Sequence, residues 1–180
     1  MAQLAILLAL SIITRILVFN PNGAYFFPDE LRYEIVGSAL AQSSFLEGIF
    51  SIYGRPGFGI LYLPALLAGQ DALPGLGLNI VINTAIIFLI YLIVKRLTSR
   101  SIAFLTSFTA VFSIPVLTYV RHLLPYDGAV LLILTGVYFW IRSSYTAGAY
   151  FAFGLFLGAS FTVYPSHFYY FLPLPIVFML

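Results

Sequence analysis

The chain has 180 residues, of which 62% are hydrophobic and only 8% charged, with a formal net charge of +2 and a mean hydropathy of +1.04. This balance excludes an ordinary soluble domain and a disordered segment, and the small net charge gives no basis for nucleic-acid binding. Without a single cysteine, neither a disulfide framework nor a thiolate metal site is available.

The apolar runs are long, which favours membrane-spanning helices over a barrel of short alternating strands. The expected fold is all-α: a polytopic transmembrane helical bundle forming one module, with interfacial juxtamembrane helices in its first outer loop. Residues 3–19 read as a retained first span. Met1-Ala2-Gln3 carries no basic region, and Arg15 interrupts the apolar run, so a cleaved secretory signal does not fit. Arg15 lies in the outer part of this span, where it either snorkels to the interface or turns inward to an acid.

Residues 20–72 form the expected outer loop. Within it, Leu31, Ile35 and Ala39 recur at helical spacing, as do Tyr33, Val36 and Leu40, which predicts one or two short amphipathic helices lying at the interface. The segment Pro56 to Gly69 is apolar but too short to span and reads as re-entrant or interfacial. Gln70 to Gly77 reads as a Gly- and Pro-rich turn leading into a second span, 73–94 at its widest. Further spans are expected over 101–119, 126–141 and 145–163. A sixth, 168–180, is incomplete, so the chain reads as the front part of a longer protein.

The loops at 95–100 and 142–144 hold Lys95, Arg96, Arg100 and Arg142 and no acid. By the positive-inside rule they face the cytoplasm, with the N-terminus. The protein is then a multi-pass protein of the cell membrane, and every Asp and Glu falls on its extracytoplasmic side.

In so apolar a chain each charge asks for a reason. Asp29 and Glu30, in Pro28-Asp29-Glu30-Leu31-Arg32-Tyr33, read equally as a general base at the membrane edge or as a helix cap with a second acid favoured by the dipole. Asp127 opens the fourth span on the same side, either as an N-cap or as a second acid of a shared cavity. Arg55, Arg121 and His122 are outer cations suited to a phosphate or to lipid headgroups. No metal-ligand spacing, P-loop, GxGxxG or HExxH is present. No cofactor is expected, and dependence on a divalent cation is not legible in these residues.

The order of these features resembles the GT-C membrane glycosyltransferases, in the group of protein O-mannosyltransferases and the aminoarabinose transferase of lipid A. It comprises Arg15 late in the first span, Pro28-Asp29-Glu30 with Tyr33 in a large outer loop, Arg55-Pro56-Gly57 opening a short apolar segment, the inner Lys95-Arg96, and Asp127 at the outer start of the fourth span. Relatives often carry two prolines followed by Leu where this chain has Arg55-Pro56-Gly57-Phe58.

The resemblance implies inverting transfer of a sugar from a polyprenyl-phosphate donor to a hydroxyl of a protein, lipid or glycan outside the cytoplasm. By position, Asp29 would be the catalytic base, Glu30 its support, and Asp127 the residue placing the acceptor. Arg55 or Arg121 would hold the donor phosphate, with His122 and Tyr33 as further substrate contacts. Two other readings compete. One is a non-catalytic accessory subunit that keeps this scaffold in a larger membrane complex. The other is a transporter segment.

Overall fold

A computed structural model describes residues 2–18, 57, 60–61, 72–113, 125–143 and 146–164. The described residues are all-α, in five helices: α1 (Ala2–Val18), α2 (Ala72–Leu97), α3 (Arg100–Val111), α4 (Pro125–Arg142) and α5 (Ala147–Val163). The expected interfacial helices of the outer loop and the expected sixth span lie outside the described residues.

The helix ends follow local chemistry. Where a turn is expected over 70–77, α2 already begins at Ala72. Pro74 is tolerated there because the first-turn N–H groups have no intrahelical acceptor. At the other end of α2, Thr98 Oγ1 donates to Val94 O at 2.7 Å. Ser99 then caps α3, its hydroxyl accepting from Ile102 N. α3 ends at Val111; the remainder of the span expected to reach 119 lies, from 114 on, outside the described residues. Ser113 N turns back to Ala110 O at 3.3 Å, and a helix continuing past it would drive the Pro115 ring into the Val111 carbonyl. α4 starts on Pro125, whose missing N–H costs nothing at a first helical position. Thr146 caps α5 by accepting from Ala149 N.

α2 is the central element, packing against α1, α3 and α4; α4 also pairs with α5, and α1 touches α3. Three small cores hold these contacts. Leu7, Tyr91 and Ala103 join α1, α2 and α3. Ile82, Ile86, Ala129 and Val163 join α2, α4 and α5, with Leu61 packed against them. Trp140, Ile133, Phe153, Ala149 and Leu157 join α4 to α5. The last pair is close because Gly136 has no side chain: a Cβ there would sit 3.0 Å from Phe156 Cβ and 3.3 Å from the Phe153 ring.

Successive helices run in opposite directions, which gives the bundle two distinct ends. At one end, Arg96 of α2 caps the C-terminus of α4, donating from Nε to Ile141 O at 3.3 Å and from Nη2 to Arg142 O at 3.1 Å. Lys95, Arg100 and Arg142 belong to the same end by their places at helix termini. Arg15 and Asp127, in the last turn of α1 and the first of α4, belong to the other.

Between the ends the outward faces are apolar. Leu17 on α1 is 77% exposed and Phe151 on α5 is 74% exposed, and Ile16, Leu105, Phe108 and Leu155 also point outward. The segment Gly77–Leu97 is long and apolar enough to cross a bilayer, whereas Ala2–Val18 and Ala147–Val163 are shorter apolar helices.

Candidate functional site

α1 buries Leu7, Ser11 and Arg15, spaced four apart and so stacked on one face. Arg15 is 0% exposed. Its Nη1 donates to Ser11 O at 2.9 Å and more weakly to Thr14 Oγ1 at 3.4 Å. The Ser11 hydroxyl meets Thr84 Oγ1 of α2 at 3.3 Å. The polar face of α1 is thus turned into the bundle, and Arg15 takes the inward of its two expected orientations.

α2 answers with two buried asparagines, Asn79 and Asn83, again four apart. Asn83 Nδ2 donates to Asn79 O at 3.1 Å and to Asp127 Oδ2 at 2.8 Å. One amide group therefore spends one proton on its own helix and aims the other at a carboxylate on α4. Asp127 is not the cap of α4: it lies inside the first turn, half-buried, with its carboxylate turned across to α2. An acid at this position also faces the positive end of the helix dipole.

Arg15 and Asp127 attract each other electrostatically without forming a contact ion pair. The guanidinium Nε and Nη2 have no hydrogen-bond partner among the described residues. The cluster is thus an acid, a guanidinium, two amides and two hydroxyls from three helices, enclosed at one end of an apolar bundle. Beside it, the Tyr126 and Tyr164 rings meet edge to face at 4.5 Å.

Gly57 brings a further segment to this end. A Cβ on Gly57 would overlap the Thr162 side chain and lie 2.9 Å from the Thr162 carbonyl carbon, so backbone meets the last turn of α5 directly. Gly57→Val should cost about 1–3 kcal/mol, the usual range for overpacking. A thermal midpoint unchanged in detergent would show that this close approach does not exist.

Of the residues expected to carry chemistry, the structure describes Asp127, and it brings Asn83 of α2 to this acid. Asp29, Glu30, Tyr33, Arg55, Arg121 and His122 lie outside the described residues. Among the described residues no three His, Cys, Asp or Glu side chains are grouped to hold a metal ion. Asn79, Asn83, Ser11 and Thr84 were not anticipated as site residues. Their signal was present in the chain: two asparagines one turn apart inside an otherwise apolar run, which a bilayer-facing helix would not carry. No protein-family model, curated protein or solved structure matches this chain.

Proposed function

We propose that the protein is a membrane glycosyltransferase of the GT-C kind, moving a sugar from a polyprenyl-phosphate donor to an extracytoplasmic hydroxyl with inversion. The observation that carries this reading is the cluster of Asp127, Asn83 and Arg15 at the end of the bundle opposite the basic residues. Ionisable groups buried inside an apolar bundle mark functional sites more often than structural ones.

The apolar girth supports a polytopic bundle in a bilayer. Arg15 aside, the described cations are Lys95, Arg96, Arg100 and Arg142, and all belong to the basic end. That end then faces the cytoplasm, and Asp127 faces out with the loop that carries Asp29.

In this mechanism Asp29 takes the proton of the acceptor hydroxyl as its oxygen attacks the anomeric carbon. The bond from that carbon to the phosphate oxygen breaks, and the polyprenyl phosphate leaves with the electron pair. Glu30 supports the base, Asp127 places the acceptor, and an arginine stabilises the phosphate charge. Phosphate is already a good leaving group, so alignment and electrostatics carry most of the rate.

The test is sugar transfer from a panel of polyprenyl-phosphate donors in membranes holding the protein. Asp29→Asn should lower transfer by at least about 100-fold, the lower range for loss of a general base. Transfer that survives this substitution removes Asp29 from the mechanism. The buried Arg15–Asp127 cluster also suits a transporter's substrate site, and uptake without transfer would favour that reading.

A further inference from the structure

We infer that the basic end of the bundle selects acidic phospholipids from the leaflet it meets, with Lys95 and Arg142 as the residues that hold them. Such a lipid is a lasting neighbour of the protein and not a substrate. Its seat lies at the opposite end from Asp127, is separate from glycosyl transfer, and needs only the bilayer placement.

Charge sets the class of partner. Four exposed cations, Lys95, Arg96, Arg100 and Arg142, belong to this end. Among the described residues the single acid is Asp127, in the first turn of α4 and so at the other end. No described side chain therefore neutralises the basic end. Arg96 is spent on the Ile141 and Arg142 carbonyls, which holds the ends of α2 and α4 together. The complement of the remaining charge is an anion supplied from outside the bundle.

Two observations choose a lipid headgroup over a soluble polyanion. The first is where the charges sit. Lys95 Nζ lies over the Tyr91 ring and Arg142 Cζ over the Tyr138 ring, each 5.9 Å from the centroid. Each ring is one turn back along the same helix. Both cations stand in last turns, where side chains lean toward the helix N-terminus. The ring quadrupole attracts a cation placed over it, so both charges are drawn back toward the apolar girth and away from the open water beyond the helix ends. Tyrosine is itself a residue of the membrane interface.

The second is what lies between the charges. Leu97 is 52% exposed and Ile102 50% exposed, and Phe139 is exposed one turn before the end of α4. Only Thr98 and Ser99 separate α2 from α3, so the turn keeps Leu97 and Ile102 close against the bundle. A soluble polyanion would answer the charges and leave these side chains wet. A phospholipid answers both, its phosphate meeting the cations and its acyl chains the apolar residues.

The experiment places the protein in phosphatidylcholine vesicles and reads, with spin-labelled lipids, the association of phosphatidylglycerol relative to phosphatidylcholine. A cation at headgroup level is worth about five-fold in such a ratio, so the wild type should favour phosphatidylglycerol at least about five-fold. Lys95→Gln and Arg142→Gln should each lower the ratio, and together bring it below about two-fold. Both side chains are exposed, and a melting curve checks that the double variant is folded. Tyr138→Leu keeps the net charge but removes the ring beneath Arg142, and should lower the ratio about two-fold.

A wild-type ratio near one overturns the seat. So does a folded double variant that keeps the preference, which would assign it to other cations of the chain. An unchanged ratio in Tyr138→Leu would reduce the effect to net charge and overturns it as well. Displacement of phosphatidylglycerol by tripolyphosphate at constant ionic strength would mark a site for a soluble polyanion instead.

Discussion

Asp127→Ala should destabilise the bundle by about 3 kcal/mol, and Arg15→Met added to it should recover at least about 1 kcal/mol. The carboxylate receives a 2.8 Å hydrogen bond from Asn83, and a bond of this charged kind is worth roughly 1.5–3 kcal/mol. Its loss also leaves Arg15, 0% exposed, without its counter-charge. A buried charge stripped of its partner costs more than the pair itself contributes. The two single substitutions should therefore be unequal.

Arg15→Met replaces a buried guanidinium by an apolar chain of similar length and leaves Asp127 half-buried with Asn83 still donating to it. It should cost less than Asp127→Ala. The check is a double-mutant cycle in mixed micelles, followed by unfolding. Additivity within about 0.5 kcal/mol would mean that the two charges do not sense each other.

Trp140→Ala should cost about 3–5 kcal/mol, as other buried large-to-small aromatic changes do. Trp140 is 1% exposed and belongs to the core that joins the last turns of α4 to the first turns of α5. Its ring stands 5.4 Å from that of Phe153 and 5.7 Å from that of Tyr150. Gly136 already brings the two helices to close approach, so they cannot collapse further to fill the space. Trp140→Phe, which keeps an aromatic in the cluster, should lose less than half as much. Thermal unfolding in detergent reads both, and equal losses for Ala and Phe would show that the cavity does not govern the effect.

The helices were legible in the chain because apolar length and the positions of Lys95, Arg96 and Arg142 mark them plainly. Their ends were less so. The Gly- and Pro-rich stretch before Leu78 suggested a turn, yet Pro74 is harmless in a first turn, and α2 begins at Ala72. Conversely, apolar residues continue well past Val111, yet α3 ends at that residue.

At the site, Asp127 was visible as a lone acid, but its local setting pointed as much to a cap as to a cavity. Only the crossing of α2 and α4 decides between them, by presenting Asn83 to it. Asn79 and Asn83 carry no charge and so do not stand out in the sequence among their apolar neighbours. Arg15 had two open orientations in the sequence. The polar Ser11 one turn earlier, stacked on the same face, is what favours the inward one.

The separation of the bundle's two ends has a kinetic meaning. Lys95, Arg96, Arg100 and Arg142 crowd one of them. To turn over in a bilayer, the molecule would carry these four hydrated cations through hydrocarbon, at roughly 2.5–3.5 kcal/mol for each residue. In the bilayer placement proposed above, an orientation adopted during insertion would then be permanent. On that reading the end of the bundle that carries Asp127 would meet a single compartment for the lifetime of the protein, and a substrate made on the other side would itself have to be flipped across before reaching it.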